Sequence, residues 1–420
     1  MDIKLWGESP ARSISMKFRK LIATALAAMF CVTAAGCSGG NGSEAASGAT
    51  GESAGEDVST ADEFDTSLTA MELTADIRIG WNLGNTLDAN GGAGVSQETS
   101  WGNPLTTPEL IQGVKDAGFN AVRIPTTWEK QMDENNTISA EWLTRVKEIV
   151  DYAYDLDMYV ILNMHHEEWY QPYADQEEAI SAKMTTCWTQ IADYFRDYDQ
   201  HLIFEGMNEP RWKNTQFEWN GGNDEGRTVV NHLNKVFVDA VRATGGNNQY
   251  RFLMVCPYAA NSSESALSAL ELPDDDRLIV SVHAYIPYSF ALQNPGSDKW
   301  VASKASCTGE IDTLAEVLDR LFISKGQAVI IGECGAMNRQ NEPYRAAWAE
   351  YYFSTFKKIG IPCFWWDNGA FMSGETFGLF DRYNNVPRYE LLVKAMMNGA
   401  DGITGTDYFT TAESTAELTA

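Results

Sequence analysis

Leu202-Ile203-Phe204-Glu205-Gly206-Met207-Asn208-Glu209-Pro210 is a short apolar run that opens into polar residues, and Val329-Ile330-Ile331-Gly332-Glu333 repeats the pattern. Apolar runs of this length, closed by Gly or Pro, are the signal of a buried strand. From residue 70 onward such runs alternate with longer amphipathic stretches. The predicted strands are residues 78–83, 121–124, 158–163, 202–207, 251–256, 278–283, 328–333 and 361–366. Predicted helices between them include 141–155, 180–197, 228–243, 311–323 and 342–356. Strand then helix, repeated eight times, predicts an α/β chain whose parallel sheet closes into a (β/α)₈ TIM barrel as a single catalytic domain. A doubly wound open sheet is the competing arrangement. It would carry a Gly-rich phosphate loop after its first strand, and Gly80-Trp81-Asn82-Leu83-Gly84-Asn85 lacks that spacing.

Barrel active sites are built at the C-terminal ends of the strands. Here those ends carry Asn82, Asn85 and Asp88; Arg123; His165-His166-Glu167; Asn208-Glu209; His283-Ala284-Tyr285; Glu333; and Trp365-Trp366-Asp367-Asn368. Seven polar endings on one rim need a common cause. Two carboxyls facing each other across a barrel mouth suit glycoside cleavage, in which one protonates the leaving oxygen and the other attacks the sugar or activates water. The bland alternative is that Glu209 and Glu333 form structural ion pairs with Arg123. Arg123 can both neutralise buried acid and hold Glu333 ionised, and Tyr285 reads equally as an ordinary strand-end aromatic or as a hydrogen-bond donor to Glu333. His165, His166 and Glu167 allow a metal reading, but the His-Glu-x-x-His spacing is absent, and recognition of sugar hydroxyls is favoured over metal.

Composition supports a sizeable core, with 44% apolar residues in 420. The 13 Trp and 17 Tyr serve core packing or flat platforms for sugar rings. A formal net charge of −27 argues against nucleic acid or an anionic membrane surface as partner.

Lys17, Arg19 and Lys20 precede an apolar run over residues 21–35, the layout of an export signal, and Met16 is an alternative start. The run ends in Ala34-Ala35-Gly36-Cys37, which resembles a bacterial lipoprotein signal with Cys37 as the lipidated residue. Ala34 departs from that pattern, where a larger aliphatic is usual, and simple cleavage is the alternative. The expected organisation is a signal over residues 1–37, a flexible acidic Gly/Ser linker over 38–66, the barrel over 67–400 and a loose tail over 401–420. The implied location is secreted and anchored to the bacterial surface, with a lipid anchor as the one membrane contact. Five Cys remain beyond residue 37 without a pairing pattern, which argues against a disulfide framework.

The rim residues resemble glycoside hydrolase family 5 over about residues 70 to 398. Asn208-Glu209-Pro210 is similar to the family's acid/base motif, and Glu333 matches its nucleophile. Arg123, His165, Asn208, His283, Tyr285 and Trp366 match positions that surround the reaction in that family. Gly80-Trp81-Asn82-Leu83-Gly84-Asn85-Thr86-Leu87-Asp88-Ala89, Glu98-Thr99-Ser100-Trp101-Gly102-Asn103-Pro104 and Phe364-Trp365-Trp366-Asp367-Asn368-Gly369 look like subfamily 4. Cys334 departs from the pattern, since an aromatic is frequent after the nucleophile. The resemblance implies a retaining endo-β-1,4-glucanase that needs no cofactor and no metal. Asn85, Asp88, His166 and Trp366 would contact glucosyl units, Trp366 being preferred to Trp365 for the stack. Asn208 would bond the sugar 2-hydroxyl, and Glu209 would hold the higher pKa of the pair. Xyloglucan, mannan or xylan as substrate, and a surface-anchored glycan-binding protein without catalysis, are the alternatives.

Overall fold

The computed structural model describes residues 64–410. The expected signal, Cys37, nearly all of the expected linker and the last ten residues lie outside the described residues. Eight parallel strands close into a barrel in sequence order: β1 (Gly80–Leu83), β2 (Ala121–Ile124), β3 (Tyr159–Asn163), β4 (Leu202–Glu205), β5 (Leu253–Val255), β6 (Leu278–His283), β7 (Ala328–Cys334) and β8 (Cys363–Asp367). The predicted strands 121–124 and 278–283 coincide with β2 and β6, and the others shift at their ends. β1 begins two residues late because Asn120 Oδ1 accepts the Arg78 and Ile79 amides, at 2.8 and 3.2 Å. β5 is shorter because Arg251 folds under it, donating to the carbonyls of Tyr198, Asp199 and Leu202.

A capped helix, α1 (Ala70–Asp76), precedes the barrel; Thr69 and Glu72 form its capping box. Its Ala70 and Leu73 pack with Ile161, Ile203, Met254, Ile279, Ile330 and Phe364, apolar residues of the barrel strands. The outer layer is α2 (Pro108–Asp116), α3 (Ala140–Tyr154), α4 (Glu177–Tyr194), α5 (Asp224–Ala243), α6 (Glu264–Leu267), the short α7 (Tyr288–Ala291), α8 (Ala305–Leu321), α9 (Glu342–Lys357) and α10 (Glu390–Ala400). α8 starts six residues before its predicted onset, in a stretch whose Ser, Thr and Gly blur the helical period. After β5 the crossover helix is a single turn, α6, too short to show a helical period in the sequence.

The folded body also extends past both expected limits. Phe64 is buried, its ring centroid 6.2 Å from that of Tyr250. Tyr408 is buried against Ala346 and Ala395 and donates from its hydroxyl to Glu350, so the expected loose tail begins docked on α9 and α10.

Alternation sorts the strand residues into layers. Ala121, Ile161, Ile203 and Ile279 pack in the interior cluster. Two residues further along each strand stand Arg123, Asn163, Glu205 and Ser281, all fully buried. A polar layer therefore lies directly above an apolar one. Gly80 contributes room: a Cβ there would meet the Phe364 ring at 2.0 Å.

Candidate active site

Glu333 owes its direction to an irregularity in β7. Ile330 packs inside the barrel and Ile331 outside, so strict alternation would send Glu333 outward. The register with β6 instead skips Gly332: Val282 pairs with Ile331 and His283 with Glu333. This bulge turns the Glu333 side chain into the mouth.

There Glu333 meets a fixed cation. Arg123 donates from Nη1 to Glu333 Oε1 at 2.7 Å and from Nε to Glu205 Oε2 at 2.7 Å. Its other donations reach Asn82 Oδ1 at 2.9 Å and Asn208 Oδ1 at 2.7 Å. Tyr285 donates to the second Glu333 oxygen at 2.8 Å. Burial opposes the charge on Arg123, but the Glu205 and Glu333 carboxylates outweigh it and raise its pKa. Glu205 is itself fully buried and accepts from Ser281 Oγ at 2.6 Å and Asn163 Nδ2 at 3.0 Å.

Glu209 lies beyond the end of β4, opposite Glu333. His283 Nδ1 is 2.9 Å from Glu209 Oε1 and 3.6 Å from Glu333 Oε2. A carboxylate oxygen of Glu209, one of Glu333 and a His283 ring nitrogen all fall within 4.8 Å of one another. Burial raises the Glu209 pKa, but the His283 hydrogen bond and the charges of His283, Arg211 and His166 outweigh it and hold it below its ordinary value. Burial opposes protonation of His283, while the Glu333 charge and the Glu209 contact raise its affinity. Both shifts draw the shared proton toward the imidazole. Arg211 and His283 reach Glu209 only through the fold, so their pull on its proton is invisible in a linear sequence.

The remaining expected residues divide into two groups. His165 and Trp366 stack with ring centroids 5.7 Å apart and planes 2° apart. Trp366 faces inward, whereas Trp365 is fully buried in the wall and donates to the Phe377 carbonyl at 3.0 Å. Asn163 Nδ2 donates to His165 Nδ1 while Asn163 Oδ1 accepts from Thr126, so the His165 proton belongs on Nε2. Burial, with His166 and Arg123 nearby, lowers the His165 pKa well below its usual value. His166 is lowered to about 4, chiefly by burial. Asn85 sits at the rim with φ +55°, a left-handed conformation that Asn tolerates.

Asp88 corrects the expectation of a sugar contact. Its side chain is fully buried, and its oxygens accept from Thr86 N at 2.6 Å and Asn85 N at 3.1 Å. It shapes the loop that presents Asn85. Burial raises its pKa to about 7. Asp88, His165 and His166 do bring ligand-type atoms within 4.8 Å of one another. The proton on His165 Nε2 and the amides on Asp88 make this a poor cation cradle.

The sequence profile of the cellulase family, glycosyl hydrolase family 5, matches residues 87–372. The chain belongs to that family. Endoglucanase A of Ruminococcus albus is 45% identical over 321 residues, covering 75% of this chain and 88% of the relative. A GH5-4 broad specificity endoglucanase from Ruminococcus champanellensis, with bound cellotriose, is 44% identical at a TM-score of 0.76 and covers 79% of this chain and 98% of its own. A GH5 xyloglucan-specific endo-β-1,4-glucanase from a metagenomic library, in complex with cellotriose, is 42% identical at a TM-score of 0.76, over 78% and 98% of the two chains.

Several residues of this family 5 site escaped the sequence reading. Glu205, Asn163 and Ser281 lie within the strands and not past their ends, and each follows an interior apolar residue by two positions, which is the signal that marks them in the sequence. Arg211, 3.5 Å from Glu209 Oε2, directly follows Pro210. Glu375 is pushed up by burial and by the charges of Glu209 and Glu333, and nothing local in the sequence ties it to them. Trp101, 41% exposed with its ring 5.6 Å from His166, joins the rim from the loop after β1.

Proposed function

We propose that this family 5 hydrolase is a retaining endo-β-1,4-glucanase acting on cellulose and related β-glucans, with Glu333 as nucleophile and Glu209 as acid/base. The carrying observation is the carboxylate pair, with oxygens within 4.8 Å of each other. That spacing suits direct attack on the anomeric carbon; an inverting pair needs a wider gap of about 6.5–9.5 Å to admit water. Arg123 and Tyr285 each bond one oxygen of Glu333 and aim the carboxylate. Glu209 gives its proton to the leaving oxygen as the Glu333–sugar bond forms, then takes a proton from the water that breaks that bond. The proton balance closes because Glu209 ends the cycle as it began.

Asn208 supports the same reading. Its Oδ1 is occupied by Arg123, which leaves the amide Nδ2 to donate to the sugar 2-hydroxyl beside the nucleophile. Trp366, braced by His165, offers a flat apolar surface for a glucosyl ring, and Asn85, His166 and exposed Trp101 extend the contact along the rim. A pure binding protein has no need of a nucleophile held by both a guanidinium and a phenol.

The test is viscometry against reducing-end release on carboxymethylcellulose, with the anomer of the first product read by NMR. Rapid viscosity loss and a β product support the assignment. Release confined to chain ends, or an inverted product, removes it. Parallel assays on xyloglucan, mannan and xylan decide the backbone, xyloglucan first, because a solved relative is specific for it. Surface anchoring through Cys37 is a proposal carried by the sequence of the export signal alone.

A further inference from the structure

Glu209 is gripped from its own loop as well as from across the barrel. Arg211 Nη1 donates to the Glu209 carbonyl at 2.9 Å and lies 3.5 Å from its Oε2. The same guanidinium is clamped in turn. Its Nε donates to Glu218 Oε1 at 3.3 Å, and Glu218 Oε2 is held by the Asn214 amide at 2.8 Å. The Arg211 guanidinium carbon sits 4.0 Å from the centre of the Trp219 ring. Trp219 is anchored through its carbonyl, which accepts from Asn261 Nδ2 at 3.1 Å, yet its side chain is 55% exposed. An exposed tryptophan packed on an arginine beside a carboxylate is costly surface unless it fixes the arginine.

We infer that Arg211, held between Glu218 and Trp219, is a positioning residue that fixes the Glu209 side chain and sets its proton affinity. The inference rests on Glu209 being the acid/base. A guanidinium does not titrate in the working range, so this bias is permanent, unlike that of an imidazole. Other groups face Glu209 from every side: His283 on β6, Glu333 on β7, His166 after β3, Tyr285 after β6, Cys256 after β5 and Glu375 after β8. Among these, the carboxylates of Glu333 and Glu375 favour the protonated acid, the Tyr285 hydroxyl and the Cys256 thiol stay neutral because burial pushes them up, His166 is neutral above about pH 4, and Arg211 with His283 opposes the carboxylates. Lys213, further along the same loop, pairs with Glu168 at 2.6 Å and acts on His166.

The experiment compares Arg211→Met, Arg211→Lys and Trp219→Ala with the wild type on two aryl β-cellobiosides. Phenol departs only with acid assistance; 2,4-dinitrophenolate departs without it. Removing the cation raises the affinity of Glu209 for its proton, so the alkaline limb of kcat/KM on the phenyl substrate moves up by about one pH unit in Arg211→Met. On the dinitrophenyl substrate kcat/KM stays within about two-fold of wild type. Arg211→Lys keeps the limb near its wild-type position, and Trp219→Ala shifts it in the same direction by less. An Arg211→Met enzyme that is folded by thermal unfolding and keeps an unmoved limb overturns the inference. So does an equal loss on both substrates. If Arg211→Met does not fold, Trp219→Ala decides alone, and an unmoved limb in it overturns the inference. Glu209→Ala is run alongside: equal loss on both substrates there would refute the acid/base assignment itself, whatever Arg211 does.

Discussion

His283 Nδ1 lies 2.9 Å from Glu209 Oε1. With Glu333 Oε2 at 3.6 Å from the same nitrogen, one imidazole touches both carboxyls. Glu209 and His283 share one proton, so a limb of the pH–rate profile belongs to that pair.

The two carboxyls should fail in different ways. Glu333→Ala abolishes turnover, and added azide restores it with an inverted α-glycosyl azide. Glu209→Ala slows cleavage of unactivated glucan by roughly 10²–10⁴-fold. That variant still reacts with dinitrophenyl cellobioside, accumulates glycosyl-enzyme, and with azide gives a β-glycosyl azide. Product configuration by NMR separates the roles; the same azide anomer from both variants would refute them.

Tyr285→Phe removes the 2.8 Å hydrogen bond to Glu333 and little else. A hydrogen bond to a charged group is worth about 1.5–3 kcal/mol. If it holds the nucleophile through the transition state, kcat/KM falls roughly 10- to 150-fold while the urea midpoint changes little. Activity retained within about two-fold would show that Arg123 orients Glu333 unaided.

Glu205 is a structural counter-charge with no exposed surface, bound to Arg123 at 2.7 Å. Glu205→Ala leaves the buried guanidinium under-compensated and should destabilise the barrel by about 3–5 kcal/mol. Urea unfolding followed by tryptophan fluorescence measures this. An unchanged midpoint would mean that the polar layer is not held by its charges.

Glu167 links its site loop to pH. Its oxygens accept from Trp128 N at 2.5 Å and Trp169 Nε1 at 2.8 Å, and burial raises its pKa from 4.5 to about 7. A carboxyl raised on folding binds more protons in the native state than in the unfolded one. Its favourable contribution is therefore full below about pH 4.5 and lost as pH rises through about 7. Stability should decline across that window, and Glu167→Gln should flatten the decline. Asp88, raised to about 7 for the same reason, contributes to the part that remains, as do Glu342 and Glu375, which burial also raises. Identical slopes in the variant and the wild type would exclude Glu167 as a source.

Cys37→Ser should release the enzyme from the membrane fraction of the native host and abolish incorporation of labelled fatty acid. Equal partition of wild type and variant would remove the lipoprotein assignment.

The sequence by itself determined the barrel: eight apolar runs separated by amphipathic stretches bury their surface as a parallel sheet under helices, and the missing phosphate-loop spacing after the first run disfavours the open sheet. It also determined which residues crowd the rim, since strand C-termini point to one end of such a barrel. Tertiary structure alone decided how those residues face one another. The skipped Gly332 turns Glu333 inward against its own alternation. Asp88 is turned from the cleft into its loop. Arg211 and His283 draw the Glu209 proton away, and Tyr408 docks a segment that reads as tail. Periodicity is a local property, encoded in neighbouring side chains. Proton affinity and side-chain direction depend on charges and register shifts contributed by strands far apart in the chain, and these act only once the barrel has closed.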